Sequence, residues 1–151
     1  MNIARKIQRA TEIAYALKSK SPSGRAFHVT TVFDKNRIVS IGVNTFKTHP
    51  QAYKYKKLEI INEERYVPTI HSELSAILKM NKEDCSDLLF FNIRIDNNNK
   101  LNNSYPCSGC VQLLKQVGFN KLFYSTNVGS FKEYITHLNK QQSDSKQIRD
   151  K

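Results

Sequence analysis

The chain has 151 residues, enough for one domain and too few for a second of ordinary size. Hydrophobic residues make up 39% and charged residues 25%, which is lean in apolar content but excludes a wholly disordered chain. Twenty-four basic against 13 acidic residues give a net charge of +11. Such a charge attracts the phosphates of nucleotides or nucleic acid, with plain solubility as the alternative, and says nothing of fold.

No segment approaches the roughly 20 apolar residues of a transmembrane helix. Met1-Asn2-Ile3-Ala4-Arg5-Lys6 has no apolar run behind it, so no secretory signal and a cytoplasmic location are expected. Three cysteines, two of them only three residues apart, favour a metal or redox pair over a disulfide framework.

Ile3, Ile7, Ala10, Ala14 and Leu17 recur on one face of a 3.6-residue period and predict a first helix, ended by Ser21-Pro22-Ser23-Gly24. Residues 26–33 and 37–43 are rich in β-branched and aromatic side chains around Asp34-Lys35-Asn36, a hairpin signal. Residues 44–69 have no clean period, which makes them a functional loop or partly helical. A short helix is predicted over 70–80 and a buried strand over 88–95, with Asp96-Asn97-Asn98-Asn99-Lys100 as a turn. A second short helix runs from Cys107 to Val117, stopped by Gly118, and a strand from Lys121 to Ser125 follows. Phe131, Tyr134, Ile135 and Leu138 predict a last helix. One domain is expected over 1–138 and a disordered tail over 139–151. Helices alternating with strands favour a layered α/β domain.

Two motifs carry the chemistry: His71-Ser72-Glu73 and Pro106-Cys107-Ser108-Gly109-Cys110, each opening a predicted helix. Two thiolates and an imidazole are donors that zinc prefers. A spacing of three puts both sulfurs on one side of a helical turn, and the helix N-terminus favours thiolate. Three protein ligands leave a tetrahedral zinc one open position, where a bound water becomes acidic near pH ~7. Glu73 can then move that water's protons without binding metal. A structural zinc needs a fourth ligand, which Cys85, His28, His49 and His137 are not spaced to supply, and a thioredoxin-like pair belongs after a first strand.

This motif pair resembles the zinc-dependent cytidine/deoxycytidylate deaminase superfamily of nucleobase deaminases. The likeness spans about residues 27–125 and includes Gly42-Val43-Asn44, similar to the Gly-x-Asn ahead of the metal motif in several members. It implies a cytidine-deaminase-like three-layer α/β/α sandwich around a mixed five-stranded sheet. It also implies Zn2+ on His71, Cys107 and Cys110, with Glu73 as proton shuttle. Asn44 would bind sugar or base, or simply close the hairpin. Backbone groups at Ser72 would face the base edge. Tyr124 would lie against the base, or be a half-buried strand residue. Arg94, at the end of the central strand, is read as solvent-facing, with a phosphate contact as the alternative.

Some features separate branches of the superfamily. A first-ligand His is unlike the Cys of the small tetrameric cytidine deaminases and points to the deoxycytidylate, tRNA and nucleic-acid branches. No glycine-rich substrate loop follows Asn44, unlike a deoxycytidylate deaminase, and the tail shows no clear helix of the tRNA-adenosine type. Residues 47–57 hold four lysines and no acid, interleaved with Tyr53 and Tyr55. Lys47 and His49 in this loop are candidate substrate contacts, for one nucleotide's phosphate or for stacked bases of a strand; a solvated loop is the alternative. Arg5, Lys6, Arg9 and Arg25 would extend a strand footprint if they flank the same face.

The favoured reading is a zinc hydrolase of nucleotide metabolism that deaminates cytosine to uracil in a (deoxy)cytidine nucleotide, attacking with zinc-bound hydroxide. The first alternative is a deaminase of cytosine or adenine in single-stranded DNA or RNA. The second is a non-catalytic, zinc-containing nucleic-acid-binding protein, which an intact Glu73 disfavours. A homo-oligomer, a dimer on family grounds, is expected, with no membrane partner.

Overall fold

The computed structural model describes residues 2–19, 27–44, 71–80, 84–119 and 121–135. Within them the order is α1 (Ile3–Lys18), β1 (Phe27–Asp34), β2 (Arg37–Val43), α2 (Ser72–Met80), β3 (Leu88–Ile95), β4 (Leu101–Asn102), α3 (Ser108–Gln116), β5 (Lys121–Ser125) and β6 (Phe131–Ile135). The strands form one mixed sheet in the order β2-β1-β3-β5-β6. Only the β3–β5 pair is parallel among the described strands. The two-residue β4 pairs with Arg94 and Ile95 at the end of β3, past the stretch of β3 that pairs with β5. It makes six strands where five were expected.

The helices lie on both faces. Ala10 and Ala14 of α1 pack with Val29, Phe33, Phe91, Ile93, Ile95 and Phe123. Small residues at these two positions let α1 approach the sheet closely. Beneath it, Phe91 stacks on Phe123 with centroids 5.1 Å apart. The other face carries α2 and α3, whose Leu74, Ala76, Ile77, Leu113 and Leu114 pack on Val32, Leu88, Phe90 and Leu122. Strand β3 therefore reads as a continuous apolar run because both of its faces are covered.

The basic residues of α1 do not form a strand track with the motifs. Helix α1 covers the sheet face opposite α2 and α3, and Lys6 is buried with its ammonium 5.8 Å from the centre of the Phe33 ring. Arg25 lies outside the described residues.

The last element corrects the expectation of a helix: residues 131–135 are a strand antiparallel to β5. Phe131, Tyr134, Ile135 and Leu138 fit a 3.6-residue period, but pairing with β5 overrides that pattern over 131–135. The preceding turn sets up that pairing. Thr126 N donates to Ser130 O at 2.9 Å and Gly129 adopts a φ of 83°, which favours glycine and returns the chain along β5.

Candidate metal and catalytic site

His71 and Cys107 occupy equivalent places. Each stands immediately before a helix, and each carbonyl accepts the first helical hydrogen bond, from Ser75 N and from Val111 N, both at 2.9 Å. The N-termini of α2 and α3 thus present their leading residues to one another. Cys107 is the N-cap of α3, and its Sγ accepts from Cys110 N at 3.4 Å.

The approach of α2 to the sheet depends on Gly42. A Cβ there would run into the backbone of Ser72 and Ala76, so only glycine lets β2 and α2 lie this close. Ser40 Oγ also donates to Ala76 O at 2.8 Å, holding the same pair together.

The strap into α3 is anchored by serines. Ser104 Oγ donates to Asn92 O and accepts from Ser125 N, both at 2.8 Å, and Ser104 N donates to Ser125 O at 2.9 Å. These bonds pin the segment before Pro106 across the ends of β3 and β5, which places Cys107.

The result is a cluster in which the donor atoms of His71, Cys107 and Cys110 all lie within 4.8 Å of one another. His71 Nδ1 is 3.2 Å from Cys110 Sγ and 3.5 Å from Cys107 Sγ. With Zn–N and Zn–S bonds of about 2.0 and 2.3 Å, a tetrahedral ion separates such ligands by roughly 3.5 Å. The donor set and its spacing fit zinc.

Electrostatics divides the two thiols. A hydrogen bond from Cys110, with further help from His71 and the Cys110 N–H, holds Cys107 down at about 4 against its own partial burial. The same bond with Cys107, then burial and the neighbouring Glu73, pushes Cys110 well above the ordinary thiol range. The thiolate is thus favoured on Cys107 over Cys110, and a metal that takes both sulfurs as thiolates releases protons on binding.

Glu73 borders this cluster and is 6% exposed. Burial raises its pKa against the opposing pull of its backbone hydrogen bond, His71 and Asn92. Asn92 Nδ2 donates to Glu73 Oε2 at 2.7 Å, and Thr30 Oγ1 donates to Asn92 Oδ1 at 2.7 Å. Ser72 Oγ lies 2.8 Å from Thr30 Oγ1 and 3.4 Å from Glu73 Oε1. A carboxyl whose pKa is raised by burial and which a side-chain amide holds in place is suited both to take and to give a proton.

Thr30, Asn92, Ser104 and Ser125 were not singled out from the sequence. Asn92 had a signal: it is a polar side chain inside the apolar run Leu88–Ile95, where only a partner makes burial tolerable.

The other expected substrate contacts fall differently. Asn44 closes the hairpin: its Oδ1 accepts from His28 N at 3.0 Å, and its own N donates to His28 O at 3.2 Å. Tyr124 is 3% exposed, and Tyr105 meets it edge-on at 5.2 Å. Both rings line an open cavity of about 540 Å³ with Asn103, Thr126, Asn127 and Lys132. Lys47 and His49, with the whole lysine-rich loop, lie outside the described residues.

The model of the cytidine and deoxycytidylate deaminase zinc-binding region matches residues 4–126. The chain belongs to this family. The deaminase architecture extends to solved structures. A cytidine deaminase from Burkholderia pseudomallei superposes with a TM-score of 0.56 at 14% identity, over 89% of this chain and 93% of that one. At that identity the likeness is one of fold. No curated protein matches the sequence. The family supports Zn2+ as the metal of the cluster and a zinc-dependent deaminase as the kind of enzyme.

Proposed function

We propose that the protein hydrolyses the exocyclic amine of cytosine in a (deoxy)cytidine nucleotide, releasing ammonia and leaving uracil. The observation that carries this is the placement of Glu73, buried, held by Asn92 and in contact with the His71, Cys107 and Cys110 cluster. A structural metal site has no use for a buried carboxyl with a raised pKa beside it.

In this reading His71, Cys107 and Cys110 hold the metal. Zinc, when bound, would lower the pKa of a water so that hydroxide is available as the nucleophile at neutral pH. Glu73 would take a proton from the attacking water and deliver it to N3 of the base as the new C4–O bond forms. It takes the second from the new hydroxyl and delivers it to the amino group, which departs as ammonia while C4 becomes a carbonyl. Asn92 keeps the Oε2 edge of Glu73 fixed throughout, so that Oε1 moves the protons. The backbone at Ser72 meets the base edge, and Asn44 Nδ2 offers a donor to the sugar while its Oδ1 stays with His28. Lys47 and His49 are assigned to binding of the substrate's phosphate, and the enzyme works in the cytoplasm as a dimer.

A second reading is favoured by the cavity at Tyr105 and Tyr124. Two tyrosines, two asparagine amides and Lys132 could take a neighbouring base and phosphate of a single strand. The readings separate by ammonia release from cytidine, deoxycytidine, their phosphates and short single-stranded DNA and RNA. The mononucleotide reading predicts turnover of monomers with little salt dependence. Turnover of oligonucleotides alone, weakening steeply with salt, would replace it with the strand reading.

A further inference from the structure

One rung along the sheet from Thr30 and Asn92, His28 pairs with Arg94. Side chains two residues apart on a strand share a face. His28 and Arg94 therefore project from the face that carries Ser72, Glu73 and the metal cluster. Arg94 and His71 both act electrostatically on His28, whose pKa is held near 4 chiefly by its burial. His28 is neutral at physiological pH, and Arg94 is the cation of this rung.

Arg94 does not simply point to solvent. It is half-buried, and its Nε is buried with no hydrogen-bond partner. The ion pairs among the described residues join Arg37 to Asp34 and Lys121 to Glu133, and Arg94 has none. Its backbone N is satisfied by Ser125 Oγ at 3.1 Å, which fixes the strand but not the guanidinium. The nearby Asn44 Oδ1 is already taken by His28 N. A guanidinium has five donors in a rigid fork and no acceptor, so sealing one of them away unpaired is costly unless a ligand brings acceptors.

We propose that Arg94 binds the phosphate of a nucleotide substrate and makes the site select a phosphorylated nucleoside over the bare nucleoside. This rests on the deaminase reading of the cluster and deepens it. A planar fork matches phosphate oxygens in pairs, which an ammonium does not. Arg94 is a specificity residue; the protons move at Glu73.

The test is calorimetric titration of zinc-loaded Glu73→Gln protein, expected to turn substrate over at least about 100-fold more slowly, with cytidine and with cytidine 5'-monophosphate. The same titrations follow with Arg94→Ala added. The monophosphate is expected to bind at least about 10-fold tighter than cytidine when Arg94 is present. Arg94→Ala should remove about 10- to 100-fold of monophosphate affinity and leave cytidine unchanged. Arg94→Lys should restore part of the loss, and Lys115→Ala, at an exposed lysine of α3, should have no such effect. Where Arg94→Ala loses its cooperative melting transition, the Arg94→Gln protein replaces it. Equal affinity for the two ligands, an advantage that survives Arg94 substitution, or no binding of either overturns the assignment. Ammonia release from cytidine without any phosphate advantage would leave the deaminase standing and remove this role for Arg94. A phosphate advantage with no ammonia release from any cytosine substrate would do the reverse.

Discussion

Asn92 donates to Glu73 across 2.7 Å while its own carbonyl oxygen accepts from Thr30 across another 2.7 Å. The central strand thus sets the orientation of the catalytic carboxyl on a neighbouring helix. Removing Asn92 leaves Glu73 Oε2 buried without this donor and leaves Thr30 Oγ1 with Ser72 Oγ. Asn92→Ala should lower kcat about 10- to 100-fold with a smaller change in KM, and destabilise the fold by about 1–3 kcal/mol. Steady-state kinetics with zinc content measured on the same samples checks this. An unchanged kcat at full zinc loading contradicts the orienting role.

Gly42 should be intolerant of any side chain. The first carbon added would meet backbone of α2, which cannot swing aside as a side chain can. Gly42→Ala is expected to cost about 3 kcal/mol, the upper end of the usual range for overpacking. Because α2 follows His71 and carries Glu73, zinc affinity should fall with stability. Thermal melting with and without zinc measures both; a variant that melts and loads like the wild type would mean that α2 stands off from β2.

Acid should weaken the fold through His28. The unfolded chain takes up its proton near pH 6.5, whereas the folded chain takes it only near 4. The depressed value means that this contribution is fully present above about pH 6.5 and is lost progressively down to about pH 4. The loss is on the order of 3 kcal/mol, less whatever solvent screening removes at a group still partly exposed. Denaturant unfolding of wild type and His28→Asn across pH 4–7.5 should give a steeper decline for the wild type. Parallel curves would show that His28 titrates alike in both states.

Cysteine substitutions should sort into two kinds. Cys85 is fully buried in the core between the sheet and the α2–α3 layer, away from the cluster of His71, Cys107 and Cys110. Cys85→Ser should retain one zinc per chain and lose about 1 kcal/mol or more of stability from burying a hydroxyl. Cys107→Ser and Cys110→Ser should lose zinc and much of the stability coupled to it. Metal analysis by emission spectroscopy distinguishes them; zinc lost from Cys85→Ser would mean a different ligand set.

The metal motifs were readable in the sequence because their chemistry is local. His71 and Cys107 are helix caps, and Cys110 follows at helical spacing, so short-range geometry alone brings each pair of donors to a helix start. The first helix, the hairpin and β3 were readable for a related reason: long periodic or apolar segments leave little choice of state. Residues 131–135 form a strand although Phe131, Tyr134, Ile135 and Leu138 have helical spacing, because the turn at 126–130 returns the chain along β5, a long-range partner that local spacing does not reveal. The network of Thr30, Asn92, Ser104 and Ser125 depends on pairings 12 to 62 residues apart. Only Asn92, a polar residue in an apolar strand, advertised it. Lys6 shows the limit of charge counting, since the sequence groups it with Arg5 and Arg9 while the fold buries it over Phe33.

The central claim is that Glu73, beside a His71, Cys107 and Cys110 zinc, moves protons in cytosine deamination. The most direct measurement is ammonia release by zinc-loaded wild-type and Glu73→Gln proteins on cytidine, deoxycytidine and their 5'-monophosphates, with zinc content determined for each. The account predicts one zinc in both proteins, conversion of a cytidine nucleotide to its uridine counterpart by the wild type, and loss of at least about 100-fold of the rate in Glu73→Gln. Retained turnover in Glu73→Gln at full zinc loading would contradict it.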